Sequence, residues 1–128
     1  MSRIVPISVV ETPEFLAMTR KMMTEDQRKE LIDFLAYHPT SGDLIQGSGG
    51  VRKLRWGLEG RGKRGGARVI YFYHHAGMPV FMLTAYAKND RSNLSPSDIE
   101  ALKDLTIRLV NAYEIRTRSE GASDGNAR

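Results

Sequence analysis

Seven of the residues between Arg52 and Arg68 are basic: Arg52, Lys53, Arg55, Arg61, Lys63, Arg64 and Arg68, against the single acid Glu59. The whole chain has 19 basic and 15 acidic residues, which leaves 12 and 14 outside this stretch. The positive charge is therefore local, in a chain otherwise slightly acidic. A field concentrated in this way draws polyanions to it, and a basic stripe is the electrostatic footprint of nucleic-acid binding. A solvated basic hairpin has the same composition. The charges lie on strand ends as well as in the loop, which argues for a surface that binds.

Strand periodicity says where these groups point. Over Val51–Trp56, Leu54 and Trp56 share one face and Lys53 and Arg55 the other. The apolar pair should face helices, leaving Lys53 and Arg55 on an open face. Arg68 begins the next strand and Lys88 closes the one after, so these four can converge from three successive strands. A guanidinium fork offers a phosphate two parallel hydrogen bonds. For Arg52, Arg61 and Arg64 the competing role is solubility and generic phosphate contact, and that role is preferred for Arg52. Tyr71, Tyr73 and Tyr86 read as sheet core before they read as base-stacking platforms.

The elements that must position these groups follow from the pattern. Ile4 to Val10 is β-branched and reads as a strand. Thr12 and Pro13 mark a helix start, and Thr24 with Gln27 marks a second helix running to about Tyr37. In that helix Leu31, Phe34, Leu35 and His38 share a face, and Pro39 ends it. A polar link over Thr40–Gly50 leads to strands at Val51–Trp56, Arg68–Tyr73 and Val80–Lys88. A Gly-rich loop over Gly57–Gly66 and a turn at His74–Gly77 join them as an antiparallel meander. Ser95 and Asp98 cap a last helix, with Pro96 at its first position and an apolar stripe of Ile99, Leu102, Leu105, Leu109, Val110 and Tyr113. The order βααβββα predicts an α+β domain over residues 1–116, with helices on one face of a mostly antiparallel sheet and the other face free. Residues 117–128 have no large apolar side chain and are expected to form a disordered tail.

Several chemistries are excluded or weakened. There is no cysteine, so disulfides, thiol nucleophiles and zinc–thiolate sites are ruled out together. No apolar run approaches the ~20 residues of a membrane span, and the N-terminus lacks the pattern of a signal peptide, so a cytoplasmic protein is expected. Gly60, Gly62 and Gly65 form G-x-G-x-x-G, but a strand follows where that fingerprint needs a helix. Gly57 to Lys63 matches G-x-x-x-x-G-K, but Arg64 stands where the metal-binding hydroxyl belongs. His74 and His75 are adjacent in a turn, a poor ligand spacing, and His38 sits at a helix end. No metal or cofactor is expected. Asp90 is the only acid near the basic cluster by strand logic.

The runs GVRKLRW, GRGKRGGARVIYFY and FMLTAYAKNDRSNLSPSDIEAL together resemble the RelE/HigB toxins of bacterial type II toxin–antitoxin systems, the HigB branch most of all. The resemblance covers about Ile4 to Tyr113. It implies a RelE-like α+β fold and a metal-independent endoribonuclease that cuts translated mRNA at the ribosome and so inhibits translation. By position, it implies a catalytic group of Lys53, Arg55, Arg68 and Lys88. Lys53 would be the base, with Arg55 and Arg68 beside it. Arg68 would stabilise the phosphorane, and Lys88 would be the acid or a phosphate clamp. Arg61, Lys63, Arg64 and Arg91 would hold RNA. Two departures stand out: Asn89 follows Lys88, with Arg91 two further on, and no catalytic Tyr is evident near the last helix. The resemblance also implies a cognate antitoxin, HigA-like with a helix-turn-helix, and operator DNA contacted only through that complex. The alternatives are a gyrase-inhibiting toxin on the same fold and a nucleic-acid-binding module without chemistry.

Overall fold

A computed structural model describes residues 5–58, 62–87 and 94–126, with side chains over 5–58, 66–87 and 94–114. The chain folds as β1 (Val9–Glu11), α1 (Pro13–Arg20), α2 (Glu25–Tyr37), β2 (Asp43–Leu44), β3 (Val51–Leu58), β4 (Gly62–Phe72), β5 (Val80–Ala87) and α3 (Pro96–Asn126). The five strands form one sheet in the order β1-β5-β4-β3-β2. Strands β2 to β5 pair antiparallel, and β1 runs parallel to β5 through Val9↔Val80 to Glu11↔Met82. The α+β class and the meander agree with the sequence. The first strand is shorter than expected, β2 is additional, and β3 and β4 reach into the segment expected to be loop.

The helix starts carry the predicted caps. Thr12 Oγ1 accepts from Phe15 N at 3.2 Å and donates to Met82 O at 2.7 Å, so one hydroxyl both opens α1 and ties it to β5. Thr24 and Gln27 form a reciprocal capping box at the start of α2. Ser95 Oγ accepts from Asp98 N at 3.1 Å while Asp98 Oδ2 accepts from Ser95 N at 3.0 Å, the same device before α3. Each satisfies backbone N–H groups that a helix start otherwise leaves without partners.

Two apolar layers lie on opposite faces of the sheet. On the first, Phe15 of α1 and Leu31 and Leu35 of α2 are fully buried against Val69, Tyr71, Val80, Met82 and Ala85. Leu54 and Trp56 join this layer as expected, and Trp56 meets Phe34 with ring centroids 5.4 Å apart. Arg28 pairs with Glu11, linking α2 to β1. On the second, Leu102, Leu105, Leu109, Val110 and Tyr113 of α3 pack on Val51, Ile70, Phe72, Met78, Leu83 and Tyr86. This corrects the expectation that all helices lie on one face and leave the other free. The amphipathic stripe of α3 must be buried somewhere, and the face occupied by α1 and α2 is already full.

Helix α3 also continues to Asn126, through residues 117–126 where composition predicts a tail.

The pairing of β4 with β5 shifts between Ile70 and Tyr71: Ile70 faces Thr84, but Tyr71 faces Met82. Leu83 is the extra residue of a β-bulge. A bulge re-aims side chains, and it puts the consecutive residues Leu83 and Thr84 on the α3 side of the sheet.

Candidate active site

Register decides which basic groups meet. Arg55 of β3 lies directly opposite Arg68 of β4, and Arg68 lies directly opposite Tyr86 of β5. These three form one row across the sheet, on the α3 face. Directly opposed side chains in an antiparallel pair have Cβ atoms about 4.5–5.5 Å apart. The next row holds Lys53, Ile70 and Thr84 in the same order. Lys53 is therefore two residues along the strand from Arg55 and shares its face. Of the four residues expected to converge from three successive strands, Lys53, Arg55 and Arg68 share one face, and Lys88 lies outside the described residues. The face they share carries α3, packed over Val51, Ile70 and Phe72.

Exposure grades across the row: Arg55 is exposed, Arg68 half-buried and Tyr86 6% exposed, and Lys53 in the next row is half-buried. Arg68 Nη1 is buried and has no hydrogen-bond partner among the described residues. Neither Arg55 nor Arg68 forms an ion pair among the described residues. A partly desolvated guanidinium opposite a second cation is costly unless an anion joins it. The row thus sets one cation reachable from solvent directly opposite one held in the sheet.

Arg52 points to the opposite face and has a different task. Its Nη1 donates to Thr40 O at 3.1 Å and Gly42 O at 2.8 Å. Beside it the Tyr71 hydroxyl accepts from Gly42 N and donates to Pro39 O, both at 2.8 Å. Together they fasten the turn after α2 to the sheet. Burial pushes the Tyr71 phenol above its ordinary value of 10.0, partly offset by the Gly42 hydrogen bond and the Arg52 charge.

The other predicted residues fall differently. Lys63 and Arg64 lie on the backbone of β4, with side chains outside the described set; Arg61, Lys88, Asp90 and Arg91 lie outside the described residues altogether. His38 caps α2 and stands 5.0 Å from Phe34 between ring centroids. His75 Nδ1 accepts from Gly77 N at 2.9 Å within its turn. No group of three or more potential metal ligands occurs among the described residues.

The sequence reads Tyr86 as sheet core before it reads it as a base-stacking platform, and does not place it beside Arg68. It is buried in the core, as expected, but its register also makes it the neighbour of Arg68. The sequence held part of the signal: counted from the paired Phe72 and Phe81, Arg68 lies four residues back and Tyr86 five on, the bulge making the difference. Reading it required knowing where the bulge falls.

A family model for the RelE toxin of the RelE / RelB toxin-antitoxin system matches residues 11–119, and the chain belongs to this family. The match runs from the last residue of β1 through most of α3 and includes the whole basic row. The protein is accordingly a toxin-type member of a toxin–antitoxin system, a class whose toxins pair with an antitoxin. No helix among the described residues is long and apolar enough to cross a membrane.

Proposed function

We propose that this chain is a metal-independent mRNA endoribonuclease of the HigB branch. In this reading it acts in the cytoplasm on translated mRNA at the ribosome, and so arrests translation. Toxins of the matched family are generally endoribonucleases, which supports the class of reaction. The single observation that carries the reading on this chain is the Arg55–Arg68 opposition, with Arg68 Nη1 buried and without a partner among the described residues. Two cations in that relation suit a phosphodiester.

The chemistry follows from charge and position. The ribose 2′-OH attacks the adjacent phosphorus, forming the O2′–P bond as the P–O5′ bond breaks. The proton of the 2′-OH passes to a base, for which Lys53 is the candidate on the neighbouring row. Negative charge on the phosphorane oxygens falls to Arg68, with Arg55 beside it. The departing 5′ oxygen takes a proton from an acid, for which Lys88 is the candidate. The products are a 2′,3′-cyclic phosphate and a 5′-hydroxyl. Arg61, Lys63, Arg64 and Arg91 would hold RNA backbone. A HigA-like antitoxin with a helix-turn-helix would silence the site and link the pair to operator DNA.

Incubating the purified protein with an mRNA, alone and in an assembled ribosome complex, tests the reading. Cleavage leaving 5′-hydroxyl ends in the presence of a chelator, and only on the ribosome, is the expected result. An intact message in both conditions would contradict it.

A further inference from the structure

Beside the row of Arg55, Arg68 and Tyr86 lies a cavity of ≈ 410 Å³ between β5 and the first turns of α3. Ile70, Leu83 and Leu105 give it apolar walls; Thr84 brings a hydroxyl to it, Glu14 and Asp98 two carboxylates, and Arg108 a guanidinium. Two of these residues continue the candidate site. Ile70 lies two residues from Arg68 on β4, Thr84 lies two residues from Tyr86 on β5, and Ile70 and Thr84 oppose each other in register. The cavity therefore begins one strand row from the basic pair. The bulge builds its wall, because it puts both Leu83 and Thr84 on this face.

A nucleobase has apolar faces and a rim of hydrogen-bond donors and acceptors, and it sits within one ribose of its own phosphate. A cavity with apolar walls and a few polar groups, adjoining a phosphate-suited pair of cations, matches that pattern. We propose that this cavity takes the base next to the scissile phosphate and supplies part of the base preference of cleavage. The proposal rests on the endoribonuclease reading of the row beside it. An apolar side chain of the antitoxin is the competing occupant. The continuity of the cavity with the Arg55–Arg68 row favours the base.

Binding tests the proposal without requiring cleavage. The probes are the four ribonucleoside 3′-monophosphates, with inorganic phosphate as control, titrated into methyl-labelled protein. The expected result is a shift of the Ile70, Leu83 and Leu105 methyl signals with at least one nucleotide and not with phosphate. Ala101→Phe, at an exposed position lining the cavity, should weaken that nucleotide about tenfold, the scale of one misfitted group in an apolar pocket. Thr84→Val keeps the side-chain shape and should change the ranking of the four bases. It serves as the second variant should the Phe perturb folding. Equal shifts with phosphate and nucleotides, or none in these methyls, would overturn the proposal. So would shifts that appear only on adding antitoxin and vanish in Ala101→Phe. A protein that binds bases in the cavity but cuts no message would sink the nuclease reading and leave the cavity. One that cuts messages while these methyls stay silent would sink the cavity alone.

Discussion

Arg55 and Arg68 stand directly opposite each other across β3 and β4, two cations in one cross-strand pair. Like charges in that relation weaken a sheet by roughly 0.2–1 kcal/mol. No ion pair to either occurs among the described residues. The fold therefore holds a small unfavourable term at the place where the proposed chemistry needs positive charge.

Removing one member of the pair should separate stability from activity. Arg68→Ala is expected to leave stability to urea unchanged or raise it by up to about 1 kcal/mol, while cleavage falls about 10²–10³-fold, the usual effect of losing one charge-stabilising donor. A loss of more than about 2 kcal/mol in stability would show that the Arg68 side chain supports the fold instead.

Salt dependence distinguishes phosphate contact from mere proximity. Each phosphate neutralised on single-stranded RNA adds about −0.7 to the slope of log affinity against log salt. Arg55→Ala, at the exposed end of the row, should flatten the slope by about that amount. Arg52→Ala should leave the slope as it is and lower stability, because Arg52 is committed to Thr40 and Gly42.

Tyr71 fixes the turn after α2 through both its donor and its acceptor. Tyr71→Phe leaves Gly42 N–H buried without its acceptor and should cost about 1–3 kcal/mol. The same hydroxyl sets a pH limit. Its folded-state value is raised above 10.0 by burial, so above that pH the unfolded chain releases this proton more readily than the folded one. Stability is complete below pH ~10 and declines as pH rises through the folded value. Thermal melts at rising alkaline pH should show this decline in the wild type and a shallower one in Tyr71→Phe.

The loop before β3 is fastened to α3 at one close approach. Gly49 has φ +83°, and a Cβ there would stand 2.6 Å from Thr106 Oγ1. Thr106 is buried and donates towards Ser48 O at 3.3 Å. Gly49→Ala is expected to cost about 1–3 kcal/mol from the left-handed backbone and the clash. Gly57→Ala is the control: nothing lies within 4 Å of its added methyl, and its melting temperature should move little.

The helix starts were legible because caps are local: Thr12, Thr24 and Ser95 each announce a helix with residues three or fewer positions away. The facing of Leu54 and Trp56 against Lys53 and Arg55 was legible for the same reason, since a period of two needs no partner to be read. Three features were not. The second helical layer was hinted at by the unbroken run Val69–Phe72, which suits a strand buried on both faces, but the run alone does not say which helix covers which side. The row of Arg55, Arg68 and Tyr86 depends on register across three strands, and the bulge at Leu83 offsets the strand by one residue without any residue type that marks it. The role of Arg52 depended on where the chain between α2 and β3 returns, which charge pattern does not encode.

Mapping new 5′ ends in cells induced to express the wild-type protein, beside cells expressing Arg68→Ala, decides whether this chain cuts messages through its basic row. New ends are expected within translated messages in the wild type and are expected to be lost in the variant, with both proteins present at similar levels. Growth arrest without new ends, or the same ends in both strains, would contradict cleavage through that row.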